Sequence, residues 1–334
     1  MSNGHSRYIF SMGELSRKDF SIMFRNKDKI TYLPIKNIRE LYCLNEVSLN
    51  TKFLEMASKA GIVVHFFNYY GNYVGTFFPK EQLLSGRLKI AQALMSYNSR
   101  MTIAKPIVLG IAENIHFLLY HYFRHGKTEV KPTVDYLKND VPALVAKAED
   151  IYQLMSVEGS VWARFYESFK EILPTDFTMS KRVKRPPDNP INALISFGNT
   201  LLYAKTVTML YQTHLDQSIS FLHEPAERRF SLSLDISEVF KPAIVFRTIF
   251  SLVNNKQIQV AKHFEKAMNY AYLNEAGRKI FITAFEEALD KKYKHAKLNR
   301  MVSYQTTIKY DGYKLIKTIM ENKPFVPFSL KDEQ

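Results

Sequence analysis

The sequence predicts an α+β multidomain protein, with a small mostly-β domain over residues 1–80 and a larger all-helical domain over 81–334. Three observations carry that prediction. Before Pro79, apolar residues come in short runs rich in β-branched and aromatic types; after it they recur at a helical period of about 3.6; and 334 residues suffice for roughly two domains of about 150 each.

In the first part, Arg7-Tyr-Ile-Phe-Ser, Ser21-Ile-Met-Phe, Ile30-Thr-Tyr-Leu-Pro and Glu40-Leu-Tyr-Cys-Leu are strand-like runs separated by charged turns. Residues 50–60 have helical spacing, with Asn50 placed to cap and Gly61 to end the helix. Two strands, Ile62-Val-Val-His-Phe-Phe and Tyr73-Val-Gly-Thr-Phe-Phe, flank Tyr70-Gly71-Asn72, whose Gly-Asn pair suits a hairpin turn. In the second part the spacing predicts helices over 82–103, 105–124, 138–154, 157–171, 190–214, 236–253, 257–272, 275–290 and 303–320. Pro190 fits a first helical position behind Asp188 or Asn189 as cap. The Pro-punctuated tail from Asn322 reads as a loosely held end.

Composition narrows the function classes. A single cysteine, Cys43, excludes an intramolecular disulfide and a cysteine-based zinc site. The sequence has no N-terminal apolar targeting core and no run of 18 uninterrupted apolar residues, so the expectation is a cytoplasmic protein with no membrane partner. The net charge is +14, of which +4 falls in residues 1–85 and +10 in the rest. That excess suits a polyanionic partner, although basic proteins without one also exist.

Glu158 is the most informative residue. In Val157-Glu158-Gly-Ser-Val-Trp162-Ala-Arg-Phe165-Tyr-Glu-Ser-Phe169 it shares a helical face with Trp162, Phe165 and Phe169, at i+4, i+7 and i+11. A carboxylate on a buried aromatic face needs a cation or a hydrogen-bond network. No lysine or arginine lies on that stripe, so either an arginine from elsewhere in the fold or a metal ion must meet it.

Two more polar clusters interrupt the helical pattern. His223, in Phe221-Leu-His223-Glu224-Pro225, precedes a proline dipeptide and falls in extended or turn backbone. It reads either as a satisfied histidine or as a ligand. Asp235 and Glu238, in Leu234-Asp235-Ile-Ser-Glu238-Val-Phe-Lys-Pro242, share a helix face at i and i+3. They read either as an N-cap completed by a capping box or as a functional pair. Jointly, Glu158, His223, Asp235 and Glu238 form a mixed oxygen and nitrogen donor set suited to Mg²⁺ or Mn²⁺. No HExxH motif and no persuasive Ser-His-Asp arrangement is present, and a divalent cation beside a basic surface suggests phosphodiester chemistry.

These motifs, together with Tyr8-Ile-Phe-Ser-Met-Gly-Glu-Leu-Ser-Arg-Lys-Asp, Gly61-Ile-Val-Val-His-Phe-Phe-Asn-Tyr-Tyr-Gly and Asp188-Asn-Pro-Ile-Asn-Ala-Leu-Ile-Ser-Phe-Gly-Asn, resemble the CRISPR-associated spacer integrase family. This is the universal adaptation protein of CRISPR systems, and the version found with type I-B loci is the most similar. The resemblance spans nearly the whole chain. It implies an N-terminal β-sandwich and a helical catalytic domain. It also implies a divalent metal held by Glu158, His223 and Glu238, with Asp235 an auxiliary carboxylate beside it. The separations of 65 and 15 residues suit the family pattern, in which the third ligand is sometimes Asp rather than Glu. The implied reaction is attack of a DNA 3′-hydroxyl on a repeat phosphodiester, or hydrolysis with water as nucleophile. The implied partners are double-stranded DNA, a second copy in a homodimer, and a small second adaptation protein bridging two dimers. Two readings compete with this one: a non-catalytic nucleic-acid scaffold, and a structure-specific DNA repair nuclease.

Weaker candidates for DNA contact are basic. Lys181, Arg182, Lys184 and Arg185 form a proline-stiffened linker. Lys294 and Lys297 lie in a second strip, which Glu286, Glu287 and Asp290 could neutralise. Arg87, just past the domain junction, is a candidate by family resemblance. Trp162 reads as a wall of the site, and the aromatic hairpin as core or dimer interface.

Overall fold

Short alternating runs up to Phe77 fold into two four-stranded sheets and one helix. In this computed structural model, residues 4–333 are described apart from 81, 82, 84, 185, 226–229, 268, 269 and 296–298. The chain divides into units Met1–Leu83 and Leu84–Gln334.

In the first unit, β1 (His5–Ile9), β2 (Gly13–Lys18), β3 (Ser21–Arg25), β4 (Ile30–Pro34), β5 (Ile38–Cys43) and β6 (Val47–Leu49) precede α1 (Thr51–Lys59), β7 (Val63–Phe67) and β8 (Tyr73–Phe77). One sheet has the order β1-β5-β7-β8 and the other β4-β3-β2-β6. Strands β1, β5 and β7 run parallel, with Leu41 opposite Val64. Alternate residues Ile22 and Phe24 of one sheet meet Leu41, Cys43 and Val64 of the other around Phe53 and Met56 of α1, so this unit is a β-sandwich with one core. As its sequence predicts, α1 is capped by the Asn50 side chain, which accepts from the Phe53 amide at 3.0 Å. The hairpin turn is longer than two residues, closing over Asn68–Asn72 with Gly71 at φ +80°. Burial in the sandwich pushes the Cys43 thiol up to about 12, which keeps it unreactive.

The second unit holds α2 (Gly86–Asn98), α3 (Met101–Arg124), the short α4 (Lys131–Asp135) and α5 (Val141–Lys147), then α6 (Ile151–Glu167) and α7 (Phe169–Ile172). It continues with α8 (Pro190–Tyr211), α9 (Ser231–Lys241), α10 (Arg247–Asn254) and α11 (Val260–His263). Two hairpins, β9–β10 (Phe264–Ala267, Tyr270–Leu273) and β11–β12 (Lys292–His295, Arg300–Ser303), flank α12 (Glu275–Asp290) before α13 (Tyr304–Glu321). Helix α8 begins at Pro190 with Asn189 as its cap, accepting from the Asn192 amide at 2.9 Å.

Sequence spacing misplaces several elements here. The expected helix over 257–272 is mostly the β9–β10 hairpin, where aromatic residues alternate, Ala271 and Leu273 are buried on one face, and Ala271 donates to the Pro187 carbonyl at 2.9 Å. The second unit is therefore helical with two small β-ribbons, not all-α. The expected helix boundary at residues 154–157 lies instead before Ile151, because the Asp150 side chain accepts from the Gln153 amide at 2.8 Å and starts a new helix. Helix α3 is long and apolar enough to cross a membrane by length and composition, but it packs against α5, α6 and α9 with Ile103, Ile107, Ile111, Ile115 and Leu119 buried.

The C-terminal tail is not loose. Phe328 is fully buried, its ring stacked 4.9 Å from Phe240 and edge-on to Tyr304 at 5.5 Å. Asn114 donates to the carbonyls of Val239 and Phe328 at 2.9 and 3.1 Å and accepts from Leu330 at 2.7 Å, joining tail, α3 and α9. Pro327 approaches Gly110 so closely that a Cβ there would stand 2.8 Å from its ring. Replacing Phe328 by alanine should therefore cost about 3–5 kcal/mol of stability in chemical denaturation. A loss below about 1 kcal/mol would show that the tail is dispensable to the core.

Candidate metal centre

Helix α6 carries Glu158 partly buried, with Leu154, Val161, Trp162 and Phe165 buried on its inner face. The aromatic stripe packs on the residues that follow α9, with Trp162 and Phe165 at 5.7 and 4.8 Å from Phe246, and Phe169 at 5.0 Å from Phe250. Between α9 and α10 the helix widens to a π-turn over Pro242–Phe246. Pro242 has no amide hydrogen to offer the preceding turn, and such wide turns recur at functional sites. This packing sets Glu158 in the electrostatic reach of Glu238 and Lys241 from α9 and of His223.

The electrostatics of Glu158 are those expected from its sequence. Burial, with the nearby charge of Glu238, pushes its pKa up to about 7, against the opposing effects of His223, Lys241 and a hydrogen bond with Trp162. Among the described residues, no arginine or lysine forms an ion pair with it. The folded state then binds more protons than the unfolded chain between about pH 4.5 and 7, so this group lowers stability as pH rises through that window. In metal-free protein, Glu158→Gln should remove that contribution. The melting temperature of the variant relative to wild type should rise from pH 5 to pH 8, and a constant difference would contradict the assignment.

Asp235 does not cap its helix. Helix α9 starts at Ser231, which places Asp235 in its second turn, fully buried. Its carboxylate accepts instead from the successive amides of Phe221, Leu222 and His223 at 2.7, 2.9 and 2.9 Å, and meets His223 Nδ1 at 2.9 Å. Burial lowers the His223 pKa, but the hydrogen bond and charge of Asp235, with Glu238 and Glu158 beyond, outweigh it and raise the value. With Nδ1 engaged, the partly exposed ring has Nε2 left for a ligand, the arrangement usual for metal-binding histidines.

Glu238 is almost fully buried and paired with Lys241, one turn on, whose ammonium also lies 5.6 Å from the Trp162 ring centre. Lys241 is thus a cation already standing on the carboxylate. Among the described residues, no three His, Cys, Asp or Glu side chains converge as a ready-made cage. The donor set itself fits a hard divalent ion: two carboxylates crowded enough to raise one pKa, one free imidazole nitrogen, and a lysine occupying the cation position. Sequence reading overlooked Lys241, although it stands within the quoted motif at i+3 from Glu238.

The basic candidates are scattered. Arg87 is exposed in the first turn of α2, and Lys181 and Lys184 are exposed in the linker. Arg182 points inward: its guanidinium donates to Asn192 Oδ1 at 3.1 Å and Ser196 Oγ at 2.9 Å, and it hydrogen-bonds Tyr166. Lys294 is exposed on β11, so helical i,i+4 neutralisation does not apply to it. Glu286 pairs with the buried Lys205 at 3.4 Å, and Lys291 with Glu333 at 3.5 Å. Arg185 and Lys297 lie outside the described residues.

Comparison with known proteins decides the family. The family model described as CRISPR associated protein Cas1 matches residues 7–287. The chain belongs to the Cas1 family. It is 43% identical over 323 residues to CRISPR-associated protein Cas1 1 of Methanobrevibacter ruminantium, covering 96% of this chain and 97% of the relative. It is 41% identical over 328 residues to CRISPR-associated endonuclease Cas1 2 of Thermodesulfovibrio yellowstonii, covering 97% and 98%. The solved Cas1 protein of Thermotoga maritima superposes with a TM-score of 0.83 at 37% identity, covering 96% of this chain and 97% of that one. The two-part architecture, a strand-rich first unit and a mostly helical second, is therefore a Cas1 architecture. A casposase bound to its integration product shares the fold, with a TM-score of 0.85 at 18% identity and coverage of 98% and 93%.

Proposed function

We propose that this chain is a divalent-metal-dependent DNA integrase and endonuclease of CRISPR adaptation, with Glu158, His223 and Glu238 holding the metal. The observation that carries the reading is the Asp235–His223 pair beside two carboxylates, one of them raised to about 7. Relatives about 40% identical that are named endonucleases, and a casposase of the same fold on its integration product, support the chemistry.

Bound there, Mg²⁺ or Mn²⁺ would supply Lewis-acid polarisation of a phosphoryl oxygen. The protein's own work is placement. Asp235 fixes the tautomer and direction of the His223 ring, the aromatic stripe fixes Glu158, and Lys241 balances Glu238 until a cation takes its place. The attacking group is a DNA 3′-hydroxyl or water, so no protein nucleophile is needed. A ligated imidazole has no lone pair for a proton, so His223 acts as ligand and not as general base.

The reading extends to partners. We place DNA along exposed basic side chains such as Arg87, Lys181, Lys184 and Lys294, with the β-sandwich serving dimerisation and contact with a small second adaptation protein, in the cytoplasm. A solved Cas6-RT-Cas1–Cas2 complex containing this fold supports the last partner. The test is incubation of a short duplex bearing free 3′-hydroxyls with a repeat-containing plasmid. Strand transfer and nicking are expected with Mn²⁺ or Mg²⁺ and none with EDTA. Equal activity in EDTA would overturn metal dependence, binding without either reaction would favour the scaffold, and preference for branched junctions over the repeat would favour a repair nuclease.

A further inference from the structure

The segment that presents His223 is neither helix nor strand, yet Phe221 and Leu222 are buried, so its backbone groups need partners from elsewhere. Asp235 accepts the amides of 221–223 from one side. The carbonyls are met from the other side by Gln92 and Ser96, one turn apart on α2, and by Arg100, which stands past the end of α2 at the start of α3. Gln92, fully buried, donates to the carbonyls of Asp216 and Ile219 at 2.8 Å each and accepts from the Asp216 amide at 3.1 Å. Ser96 donates to the Ser220 carbonyl at 2.7 Å. Arg100 then serves three carbonyls in succession, Phe221 at 2.7 Å, Leu222 at 3.2 Å and His223 at 3.0 Å, and pairs with Glu224 at 2.8 Å.

We propose that Arg100 is a positioning residue for His223: with Asp235 it clamps the 221–223 backbone from opposite sides and so fixes where the imidazole Nε2 points. The planar guanidinium suits this task because it offers five donors in a rigid fork, which a lysine cannot reproduce. Without Arg100, Asp235 would still hold the amides and one ring nitrogen, but the carbonyls of Phe221 and Leu222 would lose their guanidinium donor and the His223 carbonyl would keep only the Ser220 hydroxyl, at 2.7 Å. The inference rests on the reading of His223 as a metal ligand.

The sign of the effect separates positioning from charge. Arg100 is a cation near a cation site, so removing its charge alone would tighten Mn²⁺ binding. Loss of positioning loosens it, by about 10- to 100-fold, as for other supports of ligating histidines. The experiment measures Mn²⁺ binding by electron paramagnetic resonance of the free ion, with full-length wild type, Arg100→Met, Arg100→Gln and His223→Ala, each checked for folding by circular dichroism and thermal melting. Weakened Mn²⁺ binding by folded Arg100→Met, with Arg100→Gln between it and wild type, is the expected result. Should the methionine variant not fold, the glutamine variant carries the test, since two donors cannot serve three carbonyls. Wild-type or tighter binding by whichever variant folds overturns the positioning role. If wild type binds no Mn²⁺, or His223→Ala binds it equally well, the metal-site reading itself fails instead.

Discussion

Replacing His223 by alanine is expected to reduce metal-dependent strand transfer and cleavage by at least about 10²–10³-fold while leaving the protein folded. Among the described residues the ring hydrogen-bonds only Asp235 Oδ1, and it is partly exposed. Its loss should cost only about 1 kcal/mol of stability. Asp235 keeps all three backbone amides when the ring is gone. The activity loss corresponds to about 3–4 kcal/mol of transition-state stabilisation, so the chemistry should suffer well beyond the fold. Single-turnover cleavage and thermal melting on the same preparation separate the two, and a folded variant with wild-type rate would exclude His223 from the site. Glu158→Ala should behave alike in activity, but with no loss of metal-free stability above pH 7, because the raised pKa shows that the ionised carboxylate is unwelcome there.

Asp235→Ala reverses that balance. It strands three amides at once, those of Phe221 and Leu222 buried and that of His223 partly so, each worth about 1–3 kcal/mol when left without an acceptor. Relaxation of the loop will recover part of this, so a loss of about 3–5 kcal/mol and a fall on the order of 10 °C in melting temperature are expected. Asp235→Asn should fall between, since its carbonyl oxygen still accepts while its amide group meets donors with donors. A melting temperature within a degree of wild type for the alanine variant would show that the 221–223 amides do not depend on Asp235.

What the sequence made legible follows physical locality. The Asn50 and Asn189 caps, the change of period near Pro79 and the aromatic stripe below Glu158 are signals within one or two turns of chain, and the fold uses them as read. That Glu158 shares an aromatic face with no cation on its own stripe was legible for the same reason, whereas the choice between a distant arginine and a metal ion was not. Asp235 was not: a carboxylate near a helix start looks like a cap, and its true partners lie 12 to 14 residues away in irregular backbone. Arg100 lies more than 120 residues from the carbonyls it serves, a pairing without any local pattern. The β9–β10 hairpin was misread because a short apolar run fits both periods, and packing decided between them. The tail was misread because prolines look like loose ends, while Phe328 in a Phe240–Tyr304 pocket is what holds it.

The most direct test of the metal centre is anomalous diffraction from crystals grown with Mn²⁺. One strong peak is expected, coordinated by Glu158, His223 Nε2 and Glu238, with the Lys241 ammonium displaced from Glu238 and Asp235 still on His223 Nδ1. Crystals at saturating Mn²⁺ showing no peak there, with Lys241 still paired to Glu238, would contradict the assignment.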